Sequence, residues 1–592
     1  MSRKPIGQGG FLANAFAGSF WNSRITSANV TKKELWLGYV AGPFGAMLLQ
    51  SIVNSYFNQY LTDVLGFTVS RGAWIASFMI VFPLVSKTID AITNVLMAKV
   101  LDNTTCKQGK LRPWFLLSLP IMVVSILLMF WIPFQNVKAQ AIWIIISYNL
   151  FYSVGYTMWY MAYGLSAALS TRNFKQRKNN SMAGQITKNM GTGFISILFP
   201  TILAAICRAT GGNNQSGYLL CMAVMCCVAV PLTFIQYFYT RERITEERRN
   251  QYGVVGSSEA VKVQEASFVK QFKACIKDKY WIMLIIMILL YQITNGMKNI
   301  SQVYYAGWVV NGNSYGEFAS IQAKFTMISM APMGPALLVL LPMYKKFGRE
   351  KVIIVGSVMA MLGGTIAYMG AGNTAMVYGG TAIGSLGTMT FIYSLMTFIG
   401  DSIDHVEYSQ GMRVEGFTAA LVGFAEMFSK GLGQALFNLG LAVTKYATPE
   451  QIGTFVKKGK EIALYADQPA AATTWINISY AGTMVAQGIL FFVLFVFFFK
   501  IDRVMPKVQK ALEDKKKAEC EAQGIVYIPQ SELERQERAK QAEEAEAVRI
   551  AELKERCAKR NLDFDVENQK ILDARAKKAA KKAAKKAKAG KK

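Results

Sequence analysis

Histidine is nearly absent from this chain, and its cysteines show no pattern that would build a site. His405 is the single histidine among 592 residues, and the eight cysteines have no paired spacing. Zinc sites and disulfide frameworks need such residues in clusters or at regular intervals, and covalent catalysis needs a base beside its nucleophile. The sequence therefore predicts no resident metal, no cofactor and no enzymatic activity.

A cleavable leader is also lacking, whereas long apolar runs are plentiful. Residues 1–34 are polar and basic, with no short apolar core before a small-residue cleavage site. From about Leu35 to Lys500 the chain carries apolar runs close to the ~20 residues that cross a bilayer. We count twelve predicted spans, centred near residues 48, 85, 123, 153, 198, 228, 293, 330, 361, 388, 429 and 486. The prediction is an all-α polytopic protein of the plasma (inner) membrane, whose lipid bilayer is its first partner.

Basic residues set the predicted orientation. Lysine and arginine cluster in the loops after spans 2, 4, 6 and 8, and most of the other loops are short or poor in them. Basic loops face the cytoplasm, so both termini are predicted to be cytoplasmic. The segment after span 11 is an exception, because it carries Lys457, Lys458 and Lys460 on the predicted outer side.

The charged stretch from about Arg241 to Tyr280 divides six spans from six. The predicted organisation is an N-terminal segment 1–34, a first half 35–240, a central loop 241–280, a second half 281–505 and a charged tail 506–592. A short glycine-plus-basic turn follows span 2 and recurs after span 8, as two repeats that rock against each other would have. Conformational gating is predicted there for Asp102, Gly109, Lys110, Arg112, Gly348 and Arg349.

The tail ends in repeated Ala-Ala-Lys-Lys units. Such a polybasic run could bind anionic lipid headgroups or touch nucleic acid without sequence specificity. A solvated tail that stays in the cytoplasm is the alternative. No specific nucleic-acid partner is predicted.

Span 2 places charge inside an apolar run from about Trp74 to Leu101. Lys87, Asp90 and Asn94 fall at i, i+3 and i+7, which is one helical face. A charge at the centre of a spanning helix costs roughly 2.5–3.5 kcal/mol. The pattern therefore favours a transport site, and a neutralised Lys87–Asp90 pair that only joins two helices is the alternative.

Other spans carry charge too. Lys298 lies in span 7, and Glu426 and Lys430 in span 11 are four residues apart, so they can pair along one helix. Lys324 in span 8 lies where a lysine can extend to the interface. Lysines outnumber carboxylates in this set, which favours an anionic substrate that supplies counter-charge.

Polar and aromatic side chains share faces with these charges. Amides and phenols can hydrogen-bond hydroxyl groups, and aromatic rings can stack on a sugar ring. The predicted substrate-binding residues are Lys87, Gln50, Asn54, Tyr156, Tyr160, Tyr163, Lys298 and Gln302. Helix packing is the alternative for the tyrosines.

Several motifs together resemble one transporter family. They are Tyr60-Leu61-Thr62-Asp63-Val64-Leu65-Gly66, Asp90-x3-Asn94, Asp102-Asn103-Thr104-Thr105, Gly109-Lys110-Leu111-Arg112-Pro113-Trp114, Asp401-Ser402-Ile403-Asp404-His405-Val406-Glu407-Tyr408 and Ser429-Lys430-Gly431. This set, within roughly residues 35–505, resembles the glycoside–pentoside–hexuronide:cation symporter family of the major facilitator superfamily. The resemblance implies a major facilitator fold with 12 transmembrane helices in two six-helix halves.

The resemblance also implies a cation or proton coupling site. Asp90 matches the first carboxylate of the span 2 site, and Lys430 matches the lysine that lies near it and could pair with Asp90. Asn94, Tyr160 and Met47 stand where the family has carboxylates. Three missing carboxylates make a poor sodium site, so H+ is the expected coupling ion, through Asp90 or Glu426, and uncoupled transport stays open.

The predicted function is secondary symport of a small sugar-like solute such as a glycoside or hexuronide. Two alternatives stay open. One is a carrier of lysolipids or other anionic amphiphiles with the same fold, and the other is a non-transporting sensor or scaffold with a signalling tail.

Overall fold

Helices form nearly all of the regular structure in the computed structural model of the chain. The described residues are 15–246, 268–310, 317–522 and 562–589, apart from residues 17, 28, 103, 105, 172–173, 212–214, 332, 413 and 458–459, together with scattered residues between 536 and 558. Two units separate along the chain, Met1–Gln509 and Lys510–Lys592. The membrane helices belong to the first unit.

The first half contains seven α-helices and three π-helical segments. The α-helices are α1 Gly42–Gln59, α2 Ala73–Asp102, α3 Arg112–Phe130, α4 Val137–Asn149, α5 Thr157–Ser170, α6 Phe174–Ala209 and α7 Gln215–Phe238. The π segments Glu34–Ala41 and Tyr60–Val64 flank α1, and Leu150–Tyr156 joins α4 to α5 in one continuous rod.

The second half follows a short amphipathic helix, α8 Phe268–Lys277. Its helices are α9 Lys279–Trp308, α10 Phe318–Met330, α11 Met333–Phe347, α12 Arg349–Met369, α13 Thr374–Gln410, α14 Glu415–Val443, α15 Ala470–Asn477 and α16 Thr483–Val493. The π segment Ile478–Gly482 joins α15 to α16, and Leu494–Phe498 follows α16. The tail contributes α17 Ile501–Ala522 and α18 Phe564–Ala589.

Eight helices in the described part of the chain are long and apolar enough to cross a membrane. The α2 helix, Ala73–Asp102, matches the predicted span from Trp74 to Leu101 almost residue for residue. Other predicted spans fall on interrupted helices, such as the α10–α11 pair. The count of twelve and the location of the termini therefore stay predictions.

A β-hairpin between α14 and α15 departs from the all-α prediction. Strands β1 Gln451–Lys457 and β2 Lys460–Tyr465 pair antiparallel, with Phe455 opposite Ile462. This segment holds the three lysines that do not fit the predicted orientation. Of these, Lys458 lies outside the described residues. The short strands were not predicted because this stretch lies between two much stronger apolar patterns.

The two halves are joined by hydrogen bonds at the end of the bundle where α1, α9 and α14 finish, which we call the far side. Asn58 donates to the Tyr304 hydroxyl at 2.9 Å, and Thr62 lies 2.8 Å from the same oxygen. Tyr446 donates to Asp63 at 3.0 Å. These side chains are buried and come from both halves, so they close the far side. We call Asn58, Thr62, Asp63, Tyr304 and Tyr446 the far-side seal.

Candidate functional site

A buried ion pair lies at the middle of α2. Lys87 Nζ donates to Asp90 Oδ2 at 2.9 Å, and the two residues are only 7% and 3% exposed. The other carboxylate oxygen, Asp90 Oδ1, accepts from the Ser153 hydroxyl at 2.5 Å. Lys87 Nζ also lies 3.6 Å from the centre of the Tyr152 ring, a cation–π contact. Both charges are therefore held by partners rather than by water.

The π segment Leu150–Tyr156 supplies the partners of this pair. Within it, two consecutive residues reach the same site, because Tyr152 covers Lys87 and Ser153 bonds Asp90. An α-helix would turn consecutive side chains about 100° apart, and the wider π turn reduces that angle. Such segments are rare and occur often at functional sites.

A second ion pair lies on α14. Lys430 Nζ donates to Glu426 Oε1 at 2.7 Å, and about a third of each side chain is exposed. The expected pairing of Lys430 with Asp90 is therefore not what the structure shows, because each lysine bonds the carboxylate on its own helix. The i, i+4 and i, i+3 spacings bring these partners together without help from tertiary structure.

Gly431 brings the helices of the two pairs close together. A Cβ atom at this position would lie 2.9 Å from Lys87 Cβ and 2.9 Å from the Pro83 carbonyl oxygen. The absence of a side chain lets α14 pack directly on α2 beside Lys87, as small residues do in membrane helices. The two helices that carry the ion pairs thus pack directly on each other beside Lys87.

Asn94 lies one turn beyond Asp90 on α2. Its side chain is partly buried, and its Oδ1 atom has no hydrogen-bond partner among the described residues. Gln50 of α1 lies at the Tyr152 hydroxyl, whereas Asn54 is exposed. Of the predicted amides, Gln50 thus reaches the Lys87–Asp90 site, and Asn94 presents an unused acceptor on α2, the helix that carries Asp90.

The three predicted substrate-binding tyrosines mainly contact other aromatic rings. Tyr156 and Tyr160 stack with their ring centres 5.6 Å apart, and Tyr163 stacks on Trp159 at 4.9 Å. A Cβ on Gly184 would lie 2.5 Å from the Tyr163 hydroxyl, so this tyrosine packs against α6. Tyr163 therefore packs against α6, and all three tyrosines are partly exposed.

Lys298 and Gln302 lie apart from these residues, within the second half. Gln302 donates to the Thr326 hydroxyl of α10 at 2.9 Å. Lys298 Nζ lies 5.5 Å from the centre of the Tyr480 ring. The structure thus divides the predicted substrate residues into two groups, one around α2 and one around α9.

The turn before α3 holds a buried carboxylate from the end of the first half. Glu242 accepts from the backbone N–H groups of Lys110 at 2.8 Å and of Leu111 and Arg112 at 2.9 Å each. Gly109 has φ +119°, and a Cβ there would lie 2.4 Å from a Glu242 oxygen. A carboxylate at a helix N-terminus is favoured by the helix dipole, and glycine is required for its approach.

The basic residues that begin α3 and α12 differ in their partners. Arg112 is buried, and its guanidinium donates to the carbonyl oxygens of Gln108 and Tyr237. Arg349, after Gly348 with φ +83°, donates to Asp401 at 2.6 Å and also to Asp502. Each turn bonds within its own half of the bundle.

Gating by these turns stays a prediction. The side chain of Asp102, which was assigned to the same role, lies outside the described residues.

Sequence reasoning missed several residues that the structure brings together. Ser153 and Tyr152 carried no signal, because they lie in an aromatic apolar run. Asp63 had one, since it stands in the motif that runs from Tyr60 to Gly66, but its partner Tyr446 lies 383 positions away. Across the described chain, no three His, Cys, Asp or Glu side chains come together as a metal site would require.

Comparisons with known proteins agree with this architecture. A family model described as MFS/sugar transport protein matches residues 38–503. The isoprimeverose transporter of Lactiplantibacillus pentosus is 24% identical over 487 residues, which cover 81% of this chain and 90% of that protein. The glucuronide carrier protein homolog of Escherichia coli (strain K12) is 22% identical over 430 residues, which cover 70% and 85%.

A solved structure is also similar in fold. The D323A mutant of the nucleoside transporter NupG superposes with a TM-score of 0.53 at 13% identity, covering 79% of this chain and 100% of that one. At such identity the likeness speaks for the fold alone.

Proposed function

Because the chain belongs to the MFS/sugar transport family, a group of multi-pass membrane transporters rather than enzymes, we propose that it is a proton-coupled symporter of a small glycoside or acidic sugar. The buried Lys87–Asp90 pair at the α2–α14 contact carries this proposal. The relatives named above include carriers of isoprimeverose and, by homology, of a glucuronide, which supports a sugar-like solute.

Asp90 is the proposed proton site. In the structure its two oxygens accept hydrogen bonds from Lys87 and Ser153. A proton added to Oδ2 would remove the charge that holds Lys87, and breaking a buried ion pair by neutralising one partner costs roughly 3–5 kcal/mol. Bound solute has to offset that cost, so proton and solute bind together. This linkage is what symport requires.

The choice of proton over sodium rests on the ligands of the site. Asn94 offers one neutral oxygen one turn from Asp90, and Lys87 places a positive charge beside the carboxylate. A sodium ion would have to displace that ammonium and find further oxygen ligands. A proton needs only the carboxylate oxygen.

The solute is proposed to bind between the two ion pairs. Gln50, Asn94 and the partly exposed Lys430 and Glu426 offer donors and acceptors for hydroxyl groups. Tyr156 is in electrostatic range of Glu426 and offers an aromatic face. Helices α1, α2 and α14 would therefore contact the solute from both halves. Solute binding would then depend on the relative position of the two halves.

Uptake by the full-length protein in liposomes tests this proposal. Uptake of a radiolabelled glycoside into proteoliposomes would be driven by a proton gradient or by a sodium gradient. The proteoliposomes would contain either the wild-type protein or the Asp90→Asn variant. Wild type should concentrate the sugar under the proton gradient alone, and Asp90→Asn should lose concentrative uptake while still exchanging sugar. Asp467→Asn, a carboxylate change in the loop before α15, is the matched control and should behave as wild type.

Accumulation by Asp90→Asn at the wild-type level would exclude Asp90 as the coupling residue. Uptake driven by sodium and indifferent to the proton gradient would exclude proton coupling.

A further inference from the structure

The second half repeats the cation–tyrosine arrangement of the first. Lys298 of α9 lies over the Tyr480 ring, and Tyr480 belongs to the π segment Ile478–Gly482. In the first half, Lys87 lies over Tyr152 of the π segment Leu150–Tyr156. Both sites thus combine a lysine in a long apolar helix with a tyrosine in a rare wide turn.

The two sites differ in their counter-charge. Lys87 bonds Asp90, whereas no carboxylate oxygen among the described residues lies within 4.0 Å of Lys298 Nζ, and no acidic group is in electrostatic range of it. Lys298 is partly buried, withdrawing an unpaired ammonium from water is costly, and the contact with one tyrosine ring offsets only part of that cost. The second site therefore lacks an anion that the first site has.

Three hydroxyl groups cluster at the end of the Tyr480 ring. The Tyr480 hydroxyl faces those of Ser329 and Thr381, and none of the three has a hydrogen bond of ordinary geometry within the described structure. Tyr480 and Thr381 are fully buried. Buried hydroxyls are nearly always well bonded, so three poorly bonded ones on and beside the ring that Lys298 covers indicate a ligand with several acceptor oxygens.

We propose that Lys298, with the hydroxyls of Tyr480, Ser329 and Thr381, forms an oxyanion-binding site for the charged group of the transported solute. A carboxylate or sulfonate accepts from an ammonium and several hydroxyls at once, and such charge-assisted hydrogen bonds are strong. A neutral sugar leaves the ammonium unpaired. The site therefore selects acidic sugars over neutral ones. This inference rests on the proposed function for the identity of the solute.

Binding to the purified full-length protein tests the proposal. The probes are methyl β-D-glucuronide, methyl β-D-glucoside and inorganic sulfate, each measured by titration calorimetry. Wild type should bind the glucuronide at least about tenfold more tightly than the glucoside. Lys298→Gln should bring the ratio of the two affinities close to one, and Lys298→Arg should keep the preference. Lys324→Gln, an exposed lysine on α10, should keep the wild-type ratio.

Three results would overturn the proposal. Equal affinity of the wild-type protein for both glycosides would overturn it. That result needs no variant, so the proposal can be refuted even if Lys298→Gln fails to fold. A folded Lys298→Gln protein that keeps the preference would do so too. Sulfate binding that depends on Lys298, without a preference between the glycosides, would make this a site for a free anion instead. Failure of proton-driven uptake alone would refute the proposed coupling and leave these binding ratios unaffected.

Discussion

Replacing the amide of Asn94 by a carboxylate would give the coupling site a second acidic residue. Its Oδ1 atom is buried without a partner, one turn from Asp90. In the family that the motifs resemble, a carboxylate stands at this position. Two carboxylates one turn apart would supply negative charge and up to four oxygens to a cation, which is what hard cations prefer.

Asn94→Asp is therefore expected to introduce sodium dependence. Sodium should raise the melting temperature of the purified variant by a few degrees and stimulate its sugar uptake, with no effect on wild type. Thermal unfolding with and without sodium chloride, against choline chloride at equal ionic strength, measures the effect. Asn373→Asp, at the N-terminus of α13 where a carboxylate caps equally well, is the control. A sodium-indifferent Asn94→Asp protein would mean that Asn94 does not face the coupling site.

At the scale of elements, Asp278 fixes the start of α9. Its Oδ1 accepts from the backbone N–H groups of Tyr280 and Trp281, and its Oδ2 contacts Ser409 and His405 of α13 at 2.8 and 2.6 Å. Burial of the carboxyl opposes its ionisation, but the hydrogen bonds from His405, Ser409 and Trp281 outweigh burial and lower the pKa of Asp278 below its ordinary value. The charged form thus stabilises the folded state.

The sign of the pH effect follows from this lowered pKa. The stabilisation is complete above the ordinary pKa of about 4 and is lost as the pH falls through that value toward the lower folded pKa. Asp278→Asn keeps the helix cap and loses the charge, so its melting temperature should lie a few degrees below wild type at pH 7, for a loss of about 1–3 kcal/mol. The two proteins should converge below pH 4. Melting curves that stay parallel across this range would contradict the assignment.

The elements differ in how well sequence predicts them. The bounds of α2 could be read almost to the residue because a long apolar run ends at polar turns on both sides. The π segment Leu150–Tyr156 could not, because a run of apolar and aromatic residues has no polar face from which to read a helical period. The partners of Lys87 and Asp90 could not be predicted either, because the positions of Tyr152 and Ser153 depend on that wide turn.

At the scale of the whole molecule, the far-side seal joins the halves through residues far apart in sequence. Asn58 and Tyr304 are separated by 246 positions, and Asp63 and Tyr446 by 383. Local patterns carry no information on such pairs, so sequence predicted two halves without predicting what holds them closed. The i, i+3 and i, i+4 ion pairs could be predicted, because one helix supplies both partners.

Tyr304→Phe is expected to weaken the far-side seal. The change removes the hydroxyl that bonds both Asn58 and Thr62 and leaves the buried Asn58 amide group without its acceptor, at a cost of about 1–3 kcal/mol. The population open on the far side should rise several-fold. Labelling of Ala76→Cys, which lines the small far-side pocket, by a membrane-impermeant maleimide measures this opening.

The rate of labelling should be several-fold higher in the Tyr304→Phe background than in wild type. Tyr305→Phe is the matched control, because the Tyr305 hydroxyl bonds the Ala367 carbonyl within the second half. Equal labelling rates in all three backgrounds would show that the Tyr304 hydrogen bonds do not hold the far side closed.

The unpaired ammonium of α9 also has an electrical consequence. The Lys87–Asp90 and Lys430–Glu426 pairs each sum to zero charge, so the set formed with Lys298 carries one net positive charge when the carrier is empty. A monoanionic solute adds one negative charge and the proton that binds Asp90 removes one, so the loaded carrier keeps the same net charge. The membrane potential, worth about 2.3 kcal/mol per elementary charge and 100 mV, therefore acts on the loaded and the empty reorientation with opposite sign, and the two effects cancel over the cycle. Uptake of an acidic sugar with one proton would thus be electroneutral, so a pH gradient would drive it and a membrane potential alone would not.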